Sequence, residues 1–363
     1  MKILFKLLNL LLVSFIINNV TAQNLANNQL NVGIGARAYA MGNAVTATVN
    51  NTTAGYWNPA GLASIEAKIQ PAFMHAELFA SISKFDYLSS AFRLNNKKSV
   101  VGFSIMRNAV DGIPNTLFAV DGSGIFYPER VTFFSSADYG FIGSFAQKGI
   151  FNIKNLNGGV NAKLYYRKAG TFTTAFGFGL DAGAQYKLDN LSLGIMLKDI
   201  STTILAWNFN FTDEEKQVLA STGNVIPVKS TEIVYPSVIL GFAYNIPFTE
   251  KISLTAEFDG VITTDGRRNV LISGPVSIDP QLGIELNIAN MVYVRGGLNN
   301  YQKGANISGE STIFIQPNLG LGLKIQDLHI DYALTRFGQF SESGIYSHIF
   351  SLMFDINFNR GRI

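Results

Sequence analysis

The sequence predicts an all-β protein: a transmembrane antiparallel β-barrel of about 14 strands with a partly helical N-terminal hatch or plug. Three observations carry this expectation. Many stretches alternate apolar and polar residues with period two, as a strand with one apolar face does. The connections between those stretches alternate between short and long. Beyond the N-terminal leader, no run of about 18 apolar residues offers a membrane-spanning helix.

Composition narrows the class. Of 363 residues, 28 are Lys or Arg and 25 are Asp or Glu. Only 15% are charged, against about 25% in average soluble domains. The 47% apolar content is ample for a core and excludes disorder. The lack of Cys excludes a disulfide scaffold, a thiolate-held zinc or iron–sulfur site and a lipidated N-terminal Cys. The net charge of +3, which falls to +1 without Lys2 and Lys6 of the leader, argues against nucleic acid as a partner.

Residues 1–22 have the pattern of a cleaved signal peptide. Lys2 and Lys6 form a positive start, residues 7–17 an apolar stretch, and Val20-Thr21-Ala22 a small-residue cleavage site. Its removal leaves 26 basic against 25 acidic side chains.

Residues 23–66 do not alternate. They are rich in Gly, Ala and Asn, which suits backbone packed against backbone, with helical turns expected around 37–43 and 53–63. Asn58-Pro59-Ala60 is a helix stop and turn, because Pro lacks a donor and biases its predecessor away from helix. At the start of a closed barrel, such a segment has two places to go: the periplasm or the lumen.

Residues 67–363 form the expected barrel. Strands are placed near 68–79, 82–94, 99–107, 135–147, 156–168, 174–187, 191–198, 235–245, 251–260, 278–287, 291–298, 316–325, 328–335 and 346–358. In the last, His348, Phe350, Leu352, Phe354, Ile356 and Phe358 alternate with Ile349, Ser351, Met353, Asp355 and Asn357. In 176–187, Phe176, Phe178 and Leu180 alternate with Gly177, Gly179 and Asp181. The second face carries Gly and mixed charges, as a polar lumen requires. Asp181, Glu257, Asp259, Glu285, Arg295, Lys324, Asp331 and Asp355 are therefore assigned inward. On the lipid face at mid-membrane, Arg or Lys would cost roughly 2–4 kcal/mol. These charges either pair across strands or meet the plug, for which Arg37 is the obvious counterpart. Links after even-numbered strands are short, with 148–155 a little longer, whereas those after odd-numbered strands are mostly long: 108–134, 199–234, 261–277, 299–315 and 336–345. Periplasmic turns and extracellular loops differ in this way. An even count returns both termini to one side, and closure removes the sheet edges that lipid does not tolerate.

Within 23–66, Gly35-Ala36-Arg37-Ala38-Tyr39-Ala40-Met41-Gly42-Asn43-Ala44 is followed by Ala54-Gly55-Tyr56-Trp57-Asn58-Pro59-Ala60-Gly61-Leu62. This pair of motifs resembles the start of FadL-superfamily barrels, in the wording of the PorV/PorQ branch of Bacteroidetes. The resemblance implies a hatch inside a 14-stranded barrel, with Gly35, Arg37, Met41, Gly42, Trp57, Asn58, Pro59, Ala60 and Gly61 as its motif residues. For the PorV/PorQ branch it implies a component of type IX secretion. Such a component binds an SprA-type translocon or the C-terminal sorting domains of secreted cargo. For FadL-like barrels it implies transport of hydrophobic compounds through a lateral opening, with a hydrophobic small ligand as partner. Outer-membrane lipid is a partner in both cases. The segment before Gly35 lacks the Pro-Pro-Asp-Ala-Arg opening expected of PorV itself, and the chain is somewhat short.

Candidate chemistry is sparse. His75, His329 and His348 lack metal-ligand spacing, and no nucleophile motif accompanies the His329/Asp331 or His348/Ser351 neighbours, so no catalytic, metal or cofactor site is expected. The Gly33-x-Gly35-x-x-Ala38 and Gly177-x-Gly179-x-x-Ala182 spacings mimic a dinucleotide fingerprint outside its βαβ context. Thr212-x-x-Glu215 opens a short helix as a capping box. The long loop 199–234 carries Leu205, Trp207, Phe209 and Phe211, and the Phe-rich loop near 113–134 carries Phe118 and Phe126. These are the candidate partner or ligand residues, as a lid or a docking patch on the outer surface. A loop core that packs on itself is the alternative. Under the docking reading, Trp207→Asp abolishes partner binding without unfolding the barrel.

Overall fold

The computed structural model describes residues 29–121, 123–222, 229–264, 271–273, 276–305, 311–337 and 345–358. The expected signal peptide lies outside these residues.

The wall is a closed antiparallel barrel of 14 staves. Six strands run as consecutive neighbours: β1 (Ile69–Leu78), β2 (Ser83–Arg93), β3 (Ser99–Asn115), β4 (Thr132–Gln147), β5 (Leu156–Ala169) and β6 (Thr173–Leu188). The next stave is broken in two. β7 (Leu191–Lys198) pairs with one half of β6, and β8 (Thr203–Phe209) pairs with the other. Its neighbour is also in two parts: β9 (Lys229–Val234) faces β8, and β10 (Ser237–Thr249) faces β7. β11 (Ile252–Thr263) pairs with β13 (Val276–Ile288), and the short β12 (Leu271–Ser273) adds to the end of β13. β14 (Val292–Ala305), β15 (Ser311–Ile325), β16 (Leu328–Phe337) and β17 (Ile345–Phe354) complete the wall. β17 closes on β1, with Ala72 opposite Met353.

The expected strands are all present, and several run further than expected: β14 reaches Ala305 and β15 begins at Ser311, so most of the expected loop 299–315 is strand. β3 continues past 107 through a bulge between Val110 and Ile113, and β4 begins at Thr132, so only 116–131 connects them. The expected loop 199–234 is mostly wall, because 203–209 and 229–234 extend the two broken staves. Apolar residues on both faces of 203–209 hide its alternation: Ile204 and Ala206 point out, whereas Leu205, Trp207 and Phe209 point in.

The wall is apolar outside. Phe176, Leu319 and Phe350 are 64%, 63% and 55% exposed, while their inward neighbours Ala175, Asn318 and Ile349 are buried. This arrangement buries apolar surface only if lipid surrounds it. Among the described residues no helix is long and apolar enough to cross a membrane, which does not bear on a barrel.

The lumen is filled by the N-terminal segment. It comprises a 3₁₀ turn (Gln29–Val32), helix α1 (Ala36–Ala40), helix α2 (Ala54–Trp57) and a second 3₁₀ turn (Pro59–Ser64). Its Ile34, Tyr39, Met41 and Leu62 are fully buried in a core with Met74, Leu78, Phe85, Tyr87 and Met106 of β1–β3. The apolar core therefore sits between plug and wall rather than between two sheets.

Candidate functional site

The motif residues of the N-terminal segment are the points at which it is tied to the barrel. The Gly35 amide donates to Met74 Sδ at 2.9 Å, and the Ala36 amide to Ser351 Oγ at 2.8 Å. Arg37 Nε donates to Glu285 Oε2 at 2.8 Å. Glu285 also accepts from Arg295 Nε at 2.6 Å, and Arg295 Nη1 reaches Asp331 Oδ1 at 2.5 Å. The result is a row of alternating sign, Arg37–Glu285–Arg295–Asp331, in which each buried charge faces an opposite one.

Two further carboxylates hold backbone. Asp259 Oδ2 accepts from the amides of Val45 and Thr46 at 3.0 and 2.9 Å. Glu257 accepts from the Ala47 amide at 2.6 Å and from the Thr48 hydroxyl. The inward charges thus serve both purposes: Glu257, Asp259 and Glu285 meet the plug, while Lys324, His329 and Asp355 pair among themselves. Asp181 reaches the plug through Asn161, whose amide nitrogen donates to Asp181 at 3.0 Å and to the Gly55 carbonyl at 2.8 Å.

The second motif is fixed by Asn58, which is fully buried. Its side-chain nitrogen donates to the carbonyls of Thr46 (2.9 Å), Ala184 (3.2 Å) and Ile195 (3.4 Å), and its oxygen accepts from the Ala60 amide. One side chain thus ends α2, starts the following turn at Pro59 and Ala60, and joins the plug to β6 and β7. Trp57 Nε1 donates to the Ile34 carbonyl at 2.9 Å, joining the two motifs. Asn58→Ala would orphan buried carbonyls and an amide, at about 1–3 kcal/mol for each group left unpaired. The expected outcome is faster proteolysis within 29–66 at unchanged barrel melting, measured by limited digestion and gel band shift.

Met41 and Gly42 touch the wall backbone directly. A Cβ on Gly42, whose φ is +60°, would lie 2.7 Å from the Leu298 nitrogen. On the wall side, a Cβ on Gly297 would overlap the Gly42 nitrogen. Gly61 is likewise closed off, with Val49 O where its Cβ would be.

Beneath the segment, towards the short turns, lie two polar cavities of about 750 Å³ and 420 Å³. Both are lined by Arg37, Asn50, Ser64 and Glu285. The larger also carries Lys148, Lys154 and Lys187, and the smaller Arg295, Lys324 and Asp355.

The opposite, long-loop end is aromatic. Trp207 and Phe209 stack at 6.5 Å between centroids, and Phe209 and Phe211 at 6.2 Å. Phe211 meets Phe172 at 6.1 Å, and Phe172 meets Phe134 edge-on at 5.2 Å. The Arg167 guanidinium lies 5.1 Å from the Trp207 ring and donates to both oxygens of Asp138, at 2.8 and 3.1 Å. Below Trp207, on the same inward face of β8, Leu205 is buried against Gly177. Four of the six candidate loop residues, Leu205, Trp207, Phe209 and Phe211, are thus one inward row. They lie on or just beyond β8 rather than in an outer loop, so Trp207→Asp strikes the lumen lining. Phe118 and Phe126 do lie in a loop, 36% and 52% exposed, and stand outside this row. Their loop is organised by Asp121, whose carboxylate accepts from the amides of Ile125 and Ser123 and from the Tyr127 hydroxyl, which hold its pKa below the usual range. The capping box forms, with the Glu215 amide donating to Thr212 Oγ1 at 3.2 Å, at the start of helix α3 (Asp213–Ser221).

Under the aromatic row the broken stave leaves a bulge at 199–202, between the β6 pairings with β7 and β8. Asp199 turns inward there. Lys163 Nζ donates to Asp181 at 2.6 Å and to Asp199 at 2.5 Å, all three side chains being 2% exposed. Sequence reasoning assigned Asp181 inward but missed Asp199, because its position in an expected loop hid it.

Neither histidine neighbourhood builds a catalytic pair. His348 points outward to the Tyr332 hydroxyl, Ser351 points inward to the plug, and His329 faces Asp355 at 3.0 Å. Among the described residues no three His, Asp or Glu converge as metal ligands.

No protein-family model and no curated protein matches this sequence. Solved structures do. The toluene transporter TodX of P. putida aligns with a TM-score of 0.57 and 14% identity over 90% of this chain and 99% of its own. The Ralstonia pickettii toluene transporter TbuX gives 0.56 and 13% over 90% and 100%. A Pseudomonas aeruginosa FadL homologue gives 0.53 and 12% over 93% and 100%. At these identities the likeness is one of fold, and this chain has the fold of FadL-like outer-membrane barrels.

Proposed function

We propose that this chain is an outer-membrane barrel that passes hydrophobic small compounds inward from the cell surface, with residues 29–66 as its hatch. The observation that carries this is the inward aromatic row at the long-loop end, taken as extracellular. Its rings run from the rim towards the buried Leu205, an apolar lining along which an apolar compound would travel. The space below the hatch is lined by polar and charged side chains, so a lipophile gains nothing by continuing there. Release sideways into the membrane fits this asymmetry. The transporter names of the similar structures support the same reading. Chemistry on the compound is not part of it.

The test is uptake of radiolabelled toluene by cells lacking their own transporters, with and without this chain. Faster uptake supports the proposal, and equal uptake with the barrel present in the membrane overturns it. A type IX secretion role, with an SprA-type translocon or sorting domains as partners, is favoured by one observation. Side chains of β1, β5, β6, β11, β13 and β17 all bind the plug, which ties it to much of the wall. Affinity purification from native outer membrane that recovers a giant translocon barrel would establish that role instead.

A further inference from the structure

The aromatic row contains one group with no counterpart. The Trp207 Nε1–H is shielded from water and has no hydrogen-bond partner among the described residues. A buried indole donor left unpaired is costly, and buried Trp normally finds an acceptor. Beside it, the Arg167 guanidinium lies against the same ring, 5.1 Å from its centre. Arg167 uses Nε and Nη2 on Asp138, and its Nη1 stands 3.9 Å from Glu232. Two carboxylates therefore already face this one cation. An incoming anion would meet a neighbourhood with net negative charge, whereas a neutral oxygen would not.

We infer that the row's ligand is an uncharged, ring-sized apolar compound carrying one acceptor oxygen, a phenol, alcohol or ketone. Its oxygen takes the Trp207 N–H, and its apolar body lies along Phe209, Phe211 and Phe172. This rests on the transport reading and narrows it. A bare hydrocarbon would leave the indole donor orphaned. A carboxylate would be repelled by Asp138 and Glu232.

The experiment is calorimetric titration of the full barrel in amphipol with 2-naphthol, naphthalene and 2-naphthoate, repeated on Trp207→Phe. Phe keeps an aromatic ring and removes the donor; the naphthalene titration controls for the smaller ring. The expected result is 2-naphthol binding about tenfold tighter than naphthalene, the scale of one hydrogen bond that also satisfies a buried donor. 2-Naphthoate should be the weakest of the three. Trp207→Phe should bring 2-naphthol to the affinity of naphthalene and leave naphthalene itself unchanged. Naphthalene or 2-naphthoate binding as tightly as 2-naphthol would overturn the assignment while leaving transport of hydrophobic compounds intact. So would an advantage of 2-naphthol that survives in Trp207→Phe. Failure of all three to bind the unaltered barrel would remove both.

Discussion

Lys163→Met is expected to destabilise the barrel by about 3–5 kcal/mol, the scale for removing one partner from a buried ion pair. The lysine is the only cation in contact with Asp181 and Asp199 among the described ion pairs, and water reaches none of the three side chains. Without it, two carboxylates face each other in the wall beside a break in strand pairing. Asp199→Asn should cost far less, because Lys163 then keeps Asp181 and Asn161 still supports it. The measurement is the temperature at which the folded, fast-migrating band is lost on a gel in detergent. Equal losses from the two variants would mean that packing, not charge, holds the bulge.

The second large effect is expected from Gly297→Val. This glycine lies on the inner face of β14, opposite Gly283 of β13, and both press on the Met41–Gly42 backbone. Val is at home in a strand, so the wall should tolerate it. The plug should not, because a side chain would occupy the space of the Gly42 amide. The expected outcome is a barrel of near-normal melting whose N-terminal segment is displaced. In planar bilayers its conductance should rise from near closed to that of an open pore. A conductance unchanged from the parent would show that the segment can reseat elsewhere.

Much of this was legible in the sequence because a barrel in lipid writes both of its solvents into every strand. Phe176, Phe178 and Leu180 could only face lipid, and Gly179 and Asp181 only the lumen. The inward assignment of eight charges followed from that alone. Which carboxylate meets Arg37 did not, because the choice of Glu285 depends on stagger between strands distant in sequence. The Asn58-Pro59-Ala60 turn was visible, yet the three carbonyls that Asn58 binds belong to two other strands and the opposite arm of the plug. Residues 203–209 misled because apolar side chains line both faces, outward for lipid and inward for the mouth. The same ambiguity hid Asp199, which sits in the bulge rather than in a regular stretch.

The chain has two tryptophans, Trp57 and Trp207. One is bonded inside the plug and the other lines the mouth, and neither faces lipid. Intrinsic emission of the intact protein therefore reports on the interior alone. Brominated acyl chains should leave it bright. Aqueous acrylamide should quench the half-buried mouth indole first and the plug indole only when the plug moves, so opening can be followed without attaching a dye.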